Sequence, residues 1–193
     1  MKLNKPTFVV STRADVLSKS LKKSPRAVTV WVRTGKFKDK LPLIRSAVVY
    51  EAKSKIDAKD YTKRFVSVLP VPKTHTKLSV LKGIPKNLIF QLLSYTRKDK
   101  LIRTQTHDFD CFKTKKTFLS WKNREKVIYT LIGRTGKLLG VAWFNKKRQD
   151  ESKVEPTIRI YSPARKKDIA RKFLEIIKQN YSNNLKSIAT KDR

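Results

Sequence analysis

The chain has 193 residues, 39% of them hydrophobic, and carries 47 Lys+Arg against 15 Asp+Glu for a formal net charge of +32. That length and apolar content suit one folded domain, alone or with a sizeable extension, and exclude a disordered chain. One cysteine excludes an intrachain disulfide and a cysteine-based zinc site within one chain, two histidines exclude a histidine-rich metal site, and no apolar run approaches the roughly 20 residues that span a bilayer.

Residues 1–17 lack the long apolar run of a secretory signal. They are basic and contain serine, which leaves a transit peptide as the alternative to a cytoplasmic protein. Residues 7–10 and 27–33 read as strands, rich in β-branched and aromatic side chains. Between them Val16, Leu17 and Leu21 predict a short helix, stopped at Ser24-Pro25. Residues 43–50 and 64–69 are further strands. Two prolines within 69–75 mark a boundary, dividing a basic N-terminal extension or small α/β subdomain at 1–75 from a core at 76–193.

In the core, residues 78–82 read as a strand. Pro85 suits the first position of a helix over 85–98, with Leu88, Ile89, Leu92, Leu93 and Tyr95 at helical spacing. A second helix starts near 114 and holds Thr114, Thr117, Phe118 and Trp121. Residues 126–145 form a hairpin pattern around Gly133 and Gly136. Ile158, Arg159 and Ile160 alternate in a strand over 157–161. A helix over 165–180 follows, with Ile169, Phe173, Leu174, Ile176, Ile177 and Tyr181 on one side, and then a short strand at 185–190. The expected fold is α/β in the α+β sense: a mixed, mostly antiparallel sheet flanked by helices.

The charge points to a polyanionic partner, most often nucleic acid. Lysine outnumbers arginine, which suits non-specific phosphate contacts better than bidentate recognition. The alternative is a merely solvated lysine-rich surface. A second pointer is local. A strand that enters a helix through a short basic turn can hold a phosphate, because the first N–H groups of a helix are unpaired and its dipole favours an anion there.

From residue 78 the order strand, helix, helix, hairpin, strand, helix, strand resembles the N-terminal and central parts of the GNAT superfamily, the acyl-CoA-dependent N-acyltransferases. The family signature Gln/Arg-x-x-Gly-x-Gly/Ala falls on residues 165–170, where Arg165 and Ala170 match and Asp168 stands in place of glycine. The resemblance implies that the backbone of Arg165, Lys166, Lys167, Asp168, Ile169 and Ala170 holds the pyrophosphate of acetyl-CoA. It implies that Arg159, Ile160 and Tyr161 align the pantetheine arm, and that Gly140 to Trp143 lie in the sheet core. Asp168 adds a Cβ and a negative charge, a repulsion of roughly 1–4 kcal/mol at 4 Å between water-like and protein-like dielectrics. Arg165, Lys166 and Lys167 offset it; alternatively Asp168 N-caps the helix. The family continues with a further helix and two strands, the helix often supplying a tyrosine that protonates the leaving thiolate, whereas this sequence stops soon after 185–190.

Acyl transfer to an amine needs a way to remove a proton from the incoming ammonium and donors for the thioester oxygen. Glu155 is the best-placed carboxylate and Tyr161 a hydroxyl near the thioester; their alternatives are a loop charge and a half-buried core tyrosine. His107, with Asp108 and Asp110, is a candidate base or a turn residue. Cys111 is a candidate nucleophile or a small packed residue. Trp121 and Trp143 are expected in the core, and Trp31 either there or stacking a base. The leading expectation is an N-acetyltransferase acting on an amine of an unidentified acceptor, with no metal. The alternative is a non-catalytic RNA-binding or ribosome-associated protein on a degenerate acyltransferase scaffold; an acidic protein acceptor would unite the two.

Overall fold

The protein is described here by a computed structural model that covers residues 8–11, 32–33, 48–71, 77–106, 108–124, 126–145, 156–162, 164–165 and 167–189. The helix expected at 15–21, Trp31, His107, Glu155 and Lys166 lie outside the described residues. The fold is α+β, with two sheets and helices. Two compact units are distinguished, residues 1–79 with 132–137 and residues 80–131 with 138–193.

The first unit contains strands β1 (Phe8–Ser11), β2 (Val32–Arg33) and β3 (Val48–Ala52) in the order β2-β1-β3. Both pairings are antiparallel, with Val9 opposite Val32 on one side and Glu51 on the other. Helix α1 (Lys55–Arg64) follows, a helix the sequence pattern does not announce. Its only buried apolar side chains are Ala58 and Tyr61. Its ends carry the local signals instead: the Ser54 hydroxyl accepts from the Asp57 N–H at 3.0 Å, Asp57 sits in the first turn and Lys63 and Arg64 in the last, as the helix dipole favours. The Tyr61 ring stacks on Tyr50 of β3 with centroids 4.0 Å apart. Residues 132–137 belong to the same unit. There the Glu51 N–H donates to the Arg134 carbonyl at 2.6 Å, the two side chains pair at 3.2 Å, and Gly136 packs on the Tyr50 ring with φ +76°.

The second sheet has five antiparallel strands, β4 (Phe65–Pro70), β5 (Lys77–Lys82), β6 (Lys126–Ile132), β7 (Leu138–Asn145) and β8 (Thr157–Ile160), in the order β4-β5-β6-β7-β8. Burial is continuous over Ile128–Ile132 and Gly140–Phe144, the mark of strands covered on both faces. Alternation along β7 sends Trp143 to one face and Phe144 to the other. Trp143 meets Phe112 and Trp121, with ring centroids 5.9 and 5.0 Å away, so Trp121 and Trp143 are core residues as expected. Phe112 follows α4 (Asp108–Cys111) and Trp121 belongs to α5 (Lys115–Lys122); these helices pack with α2 (Ile89–Lys98) and α3 (Lys100–Gln105). Phe144 stacks on Tyr181 at 4.1 Å, a residue of α6 (Lys167–Ala189), which also buries Ile169, Phe173 and Ile177. The Tyr129 hydroxyl donates to Asn180 Oδ1 at 2.8 Å; burial, helped by the nearby Tyr181, pushes its pKa up to about 12, so it remains a donor at neutral pH.

Three expectations change. The strand at 185–190 is instead the end of α6, which runs to Ala189; no Gly or Pro lies between 165 and 189, and Leu185 and Ile188 continue the helical spacing from Tyr181. The helix over 85–98 starts as a 3-10 turn, Lys86–Leu88, before α2. Two short helices, α3 and α4, separate it from the helix near 114.

Candidate functional site

Strand β8 lies at the end of the sheet order, paired antiparallel to β7 with Gly140 opposite Ile160 and Trp143 opposite Thr157. Gly140 lets the strands approach: a Cβ there would stand 2.8 Å from Ile160 Cδ1 and 3.0 Å from the Arg159 carbonyl oxygen. The Tyr161 N–H donates to the Leu139 carbonyl at 2.9 Å. By the antiparallel alternation, the backbone groups of Arg159 and Tyr161 therefore face β7, and those of Ile158 and Ile160 face outward. Both outward carbonyls are taken by arginines. Arg159 Nη1 donates to the Ile158 oxygen at 3.0 Å and Arg165 Nε to the Ile160 oxygen at 2.9 Å.

The chain then turns, with the Ala164 N–H donating to the Tyr161 carbonyl at 3.0 Å, before α6 begins at Lys167. Arg165 Nη2 binds Asp99 Oδ2, which brings the turn to the α2–α3 junction. Asp99 is also the N-cap of α3, accepting from the Ile102 N–H at 3.4 Å. Burial pushes the Asp99 carboxyl up, but hydrogen bonds from Arg165, Ile102 and Leu101 and the guanidinium charge outweigh it and hold the group below the usual carboxylate range.

Between these segments lies a cleft of about 340 Å³, lined by Tyr95, Lys98, Asp99, Lys100, Tyr161, Ser162 and Arg165. Three cations face one carboxylate, and the two tyrosine rings are 5.2 Å apart, tilted by 48°. Lys98 and Lys100 carry positive charge that Asp99 only partly balances. The composition suits an anion attached to an apolar or aromatic body.

The structure brings Tyr161 and Arg165 together at this cleft. Tyr161 is only 2% exposed, so it belongs as much to the core as to the cleft. Arg159 lies over the Trp143 ring, 5.4 Å from its centroid. Ile160 is half-buried and Ile169 is buried in the core. Asp168 is the second residue of α6 and exposed, within the first turn rather than at the N-cap position proposed for it. Lys167 opens α6 and Ala170 is half-buried; Glu155 and Lys166 lie outside the described residues. Cys111 ends α4, half-buried. Among the described residues no group of three or more His, Cys, Asp or Glu is arranged to hold a metal ion, and no helix is long and apolar enough to cross a membrane.

Tyr95, Lys98, Asp99 and Lys100 are cleft residues that the sequence pattern does not single out. Tyr95 sits in the apolar stripe of α2, and the charged run after it reads as the polar end of a helix. Nothing local indicates that Asp99 meets a residue 66 positions away. Comparison with protein-family models, curated proteins and solved structures finds no match to this chain.

Proposed function

We propose that the chain is an acyl-CoA-dependent N-acyltransferase of GNAT type, which takes a coenzyme A thioester into the β8–α6 cleft and passes its acetyl group to an amine. The observation that carries this reading is positional. Strands β5 to β8 are consecutive in the sheet, β8 leads into a long helix, and the basic cleft opens at that turn.

The residues present fit such a ligand. Lys98 and Lys100 would hold the phosphates with the first-turn N–H groups of α6, and Tyr95 would offer an apolar wall. The outward N–H groups of Ile158 and Ile160 suit the amides of an extended arm laid along the sheet edge. Bound there, the thioester supplies an activated acyl carbon. The chain's own part is to hold it, shield it from water and manage protons. Glu155 would take the proton from the attacking ammonium, and Tyr161 would donate one toward the departing sulfur. Arg165 is tied to Asp99 through Nη2 and to the Ile160 carbonyl through Nε, so its charge would be shared between that carboxylate and a phosphate. Asp168, being exposed, repels a nearby phosphate at the weak, water-like end of the Coulomb range, about 1 kcal/mol.

The test is thiol release from acetyl-CoA with peptide and polyamine acceptors, comparing the parent chain with Glu155→Gln and Asp168→Gly. Turnover in the parent, a fall of about a hundredfold in Glu155→Gln and a rise in Asp168→Gly are expected. Thiol release no faster than in buffer, with every acceptor and in all three proteins, would remove the enzymatic reading.

A further inference from the structure

Helix α2 buries Ile89, Leu92, Leu93 and Thr96, the stripe that results when one face of a helix packs on a core. Phe90 falls outside that stripe. It follows Ile89, about 100° further round the helix, and is 65% exposed. An exposed phenyl ring forgoes most of the gain of burial, and phenylalanine forms helix less readily than straight-chain polar residues. Core packing gives no reason for this side chain at this position.

The surroundings of the ring are cationic. Lys115 Nζ lies over it, 5.7 Å from the centroid, and Lys113 and Lys116 stand exposed beside Lys115. On the same face of the α2 segment, Lys86 lies one turn before Phe90 and Arg97 two turns after it, both exposed. Residues 86–124 contain ten basic and three acidic residues. Lys115 and Lys116 also occupy the first turn of α5 with no acidic residue to balance them, at the end of a helix where cations are disfavoured. Of the N–H groups of that turn, Thr117's donates to the Thr114 hydroxyl in a capping box, and the lysine side chains carry the charge that an anion would meet.

We propose that Phe90, with Lys115 beside it and Lys86, Arg97, Lys113 and Lys116 around it, is a landing surface for single-stranded nucleic acid. One base stacks on the open part of the ring, and flanking phosphates meet the cations. Aromatic platforms within a basic surface bind single strands in this way, tolerant of sequence because every base has a π face. Lysine-rich surroundings suit phosphates read as charge alone. An acidic peptide would satisfy the cations but offers the ring nothing. The surface is separate from the cleft residues, so the proposal stands whether or not the chain is an acyltransferase.

The test is fluorescence anisotropy of labelled oligo-uridine with the intact chain, at low and at physiological salt, with polyphosphate, poly-glutamate and anionic vesicles as base-free competitors. Phe90→Ala is expected to weaken oligo-uridine binding roughly five- to a hundredfold, while Phe90→Trp binds at least as well as the parent. Replacing Lys113, Lys115 and Lys116 by Gln should lower the slope of log affinity against log salt by about 2. Since Phe90 is exposed, circular dichroism should be the same for parent and variant. Equal oligo-uridine affinity in parent and Phe90→Ala would overturn the proposal. So would competition by poly-glutamate or vesicles that is as strong as unlabelled oligo-uridine and equally dependent on Phe90, which would assign the surface to an acidic protein or a membrane.

Discussion

At the scale of single residues, the candidate site turns on one ion pair. Arg165 is held by Asp99 and by the Ile160 carbonyl, and Asp99 also caps α3. Asp99→Asn keeps a side chain that caps well but gives up the charge. Acetyl-CoA affinity should therefore rise, because a carboxylate no longer offsets the charge of Arg165 in the cleft, and calorimetry checks it. The pH dependence follows from the lowered pKa of Asp99. The pair's contribution to stability is present above the unfolded value of about 3.9 and is lost as the pH falls through the folded value. Melting curves of parent and Asp99→Asn should differ at neutral pH and converge below about pH 4; a gap that widens in acid would contradict the assignment. Arg165 was legible in the sequence because it sits in a basic turn before a helix. Asp99 was not, since a partner 66 residues away leaves no local trace. Gly136 offers a second residue-scale prediction. Its φ of +76° and the Tyr50 ring 2.8 Å from a would-be Cβ make Gly136→Ala destabilising by about 1–3 kcal/mol in urea unfolding.

At the scale of elements, strong periodicity was legible and capping was not. The β6–β7 hairpin, β8 and the start of α6 appear in the structure close to where the pattern of apolar residues puts them. Helix α1 was hidden because it buries little beyond Ala58 and Tyr61 and depends on its Ser54 cap and an Asp60–Arg64 pair at 2.9 Å. The strand expected at 185–190 illustrates a known ambiguity: a short run around Leu185 and Ile188 fits either period, and the uninterrupted helix before it decides. Two elements position the cleft, and each can be loosened. Phe173 is fully buried under the sheet, so Phe173→Ala should cost about 3–5 kcal/mol in urea unfolding. Gly140→Ala presses on the Arg159 carbonyl and Ile160; a strain of about 1–3 kcal/mol is expected, together with weaker acetyl-CoA binding as β8 shifts.

At the scale of the whole molecule, a net charge of +32 acts on folding and binding with opposite sign. Self-repulsion among the cations is screened by salt, so the melting temperature should rise from low to physiological ionic strength, while attraction to any polyanion weakens over the same range. A melting temperature that falls with added salt would mean that attractive ion pairs dominate the surface. The central claim concerns the cleft at the β8–α6 turn, where Lys98 and Lys100 are the cations without an ion pair among the described contacts. Its most direct measurement is calorimetric titration of acetyl-CoA into the intact chain and into a Lys98→Ala/Lys100→Ala variant. Saturable binding by the parent, weakened about tenfold or more in the variant, is the expected result. No saturable heat from the parent, or equal affinity in the two proteins, would contradict it.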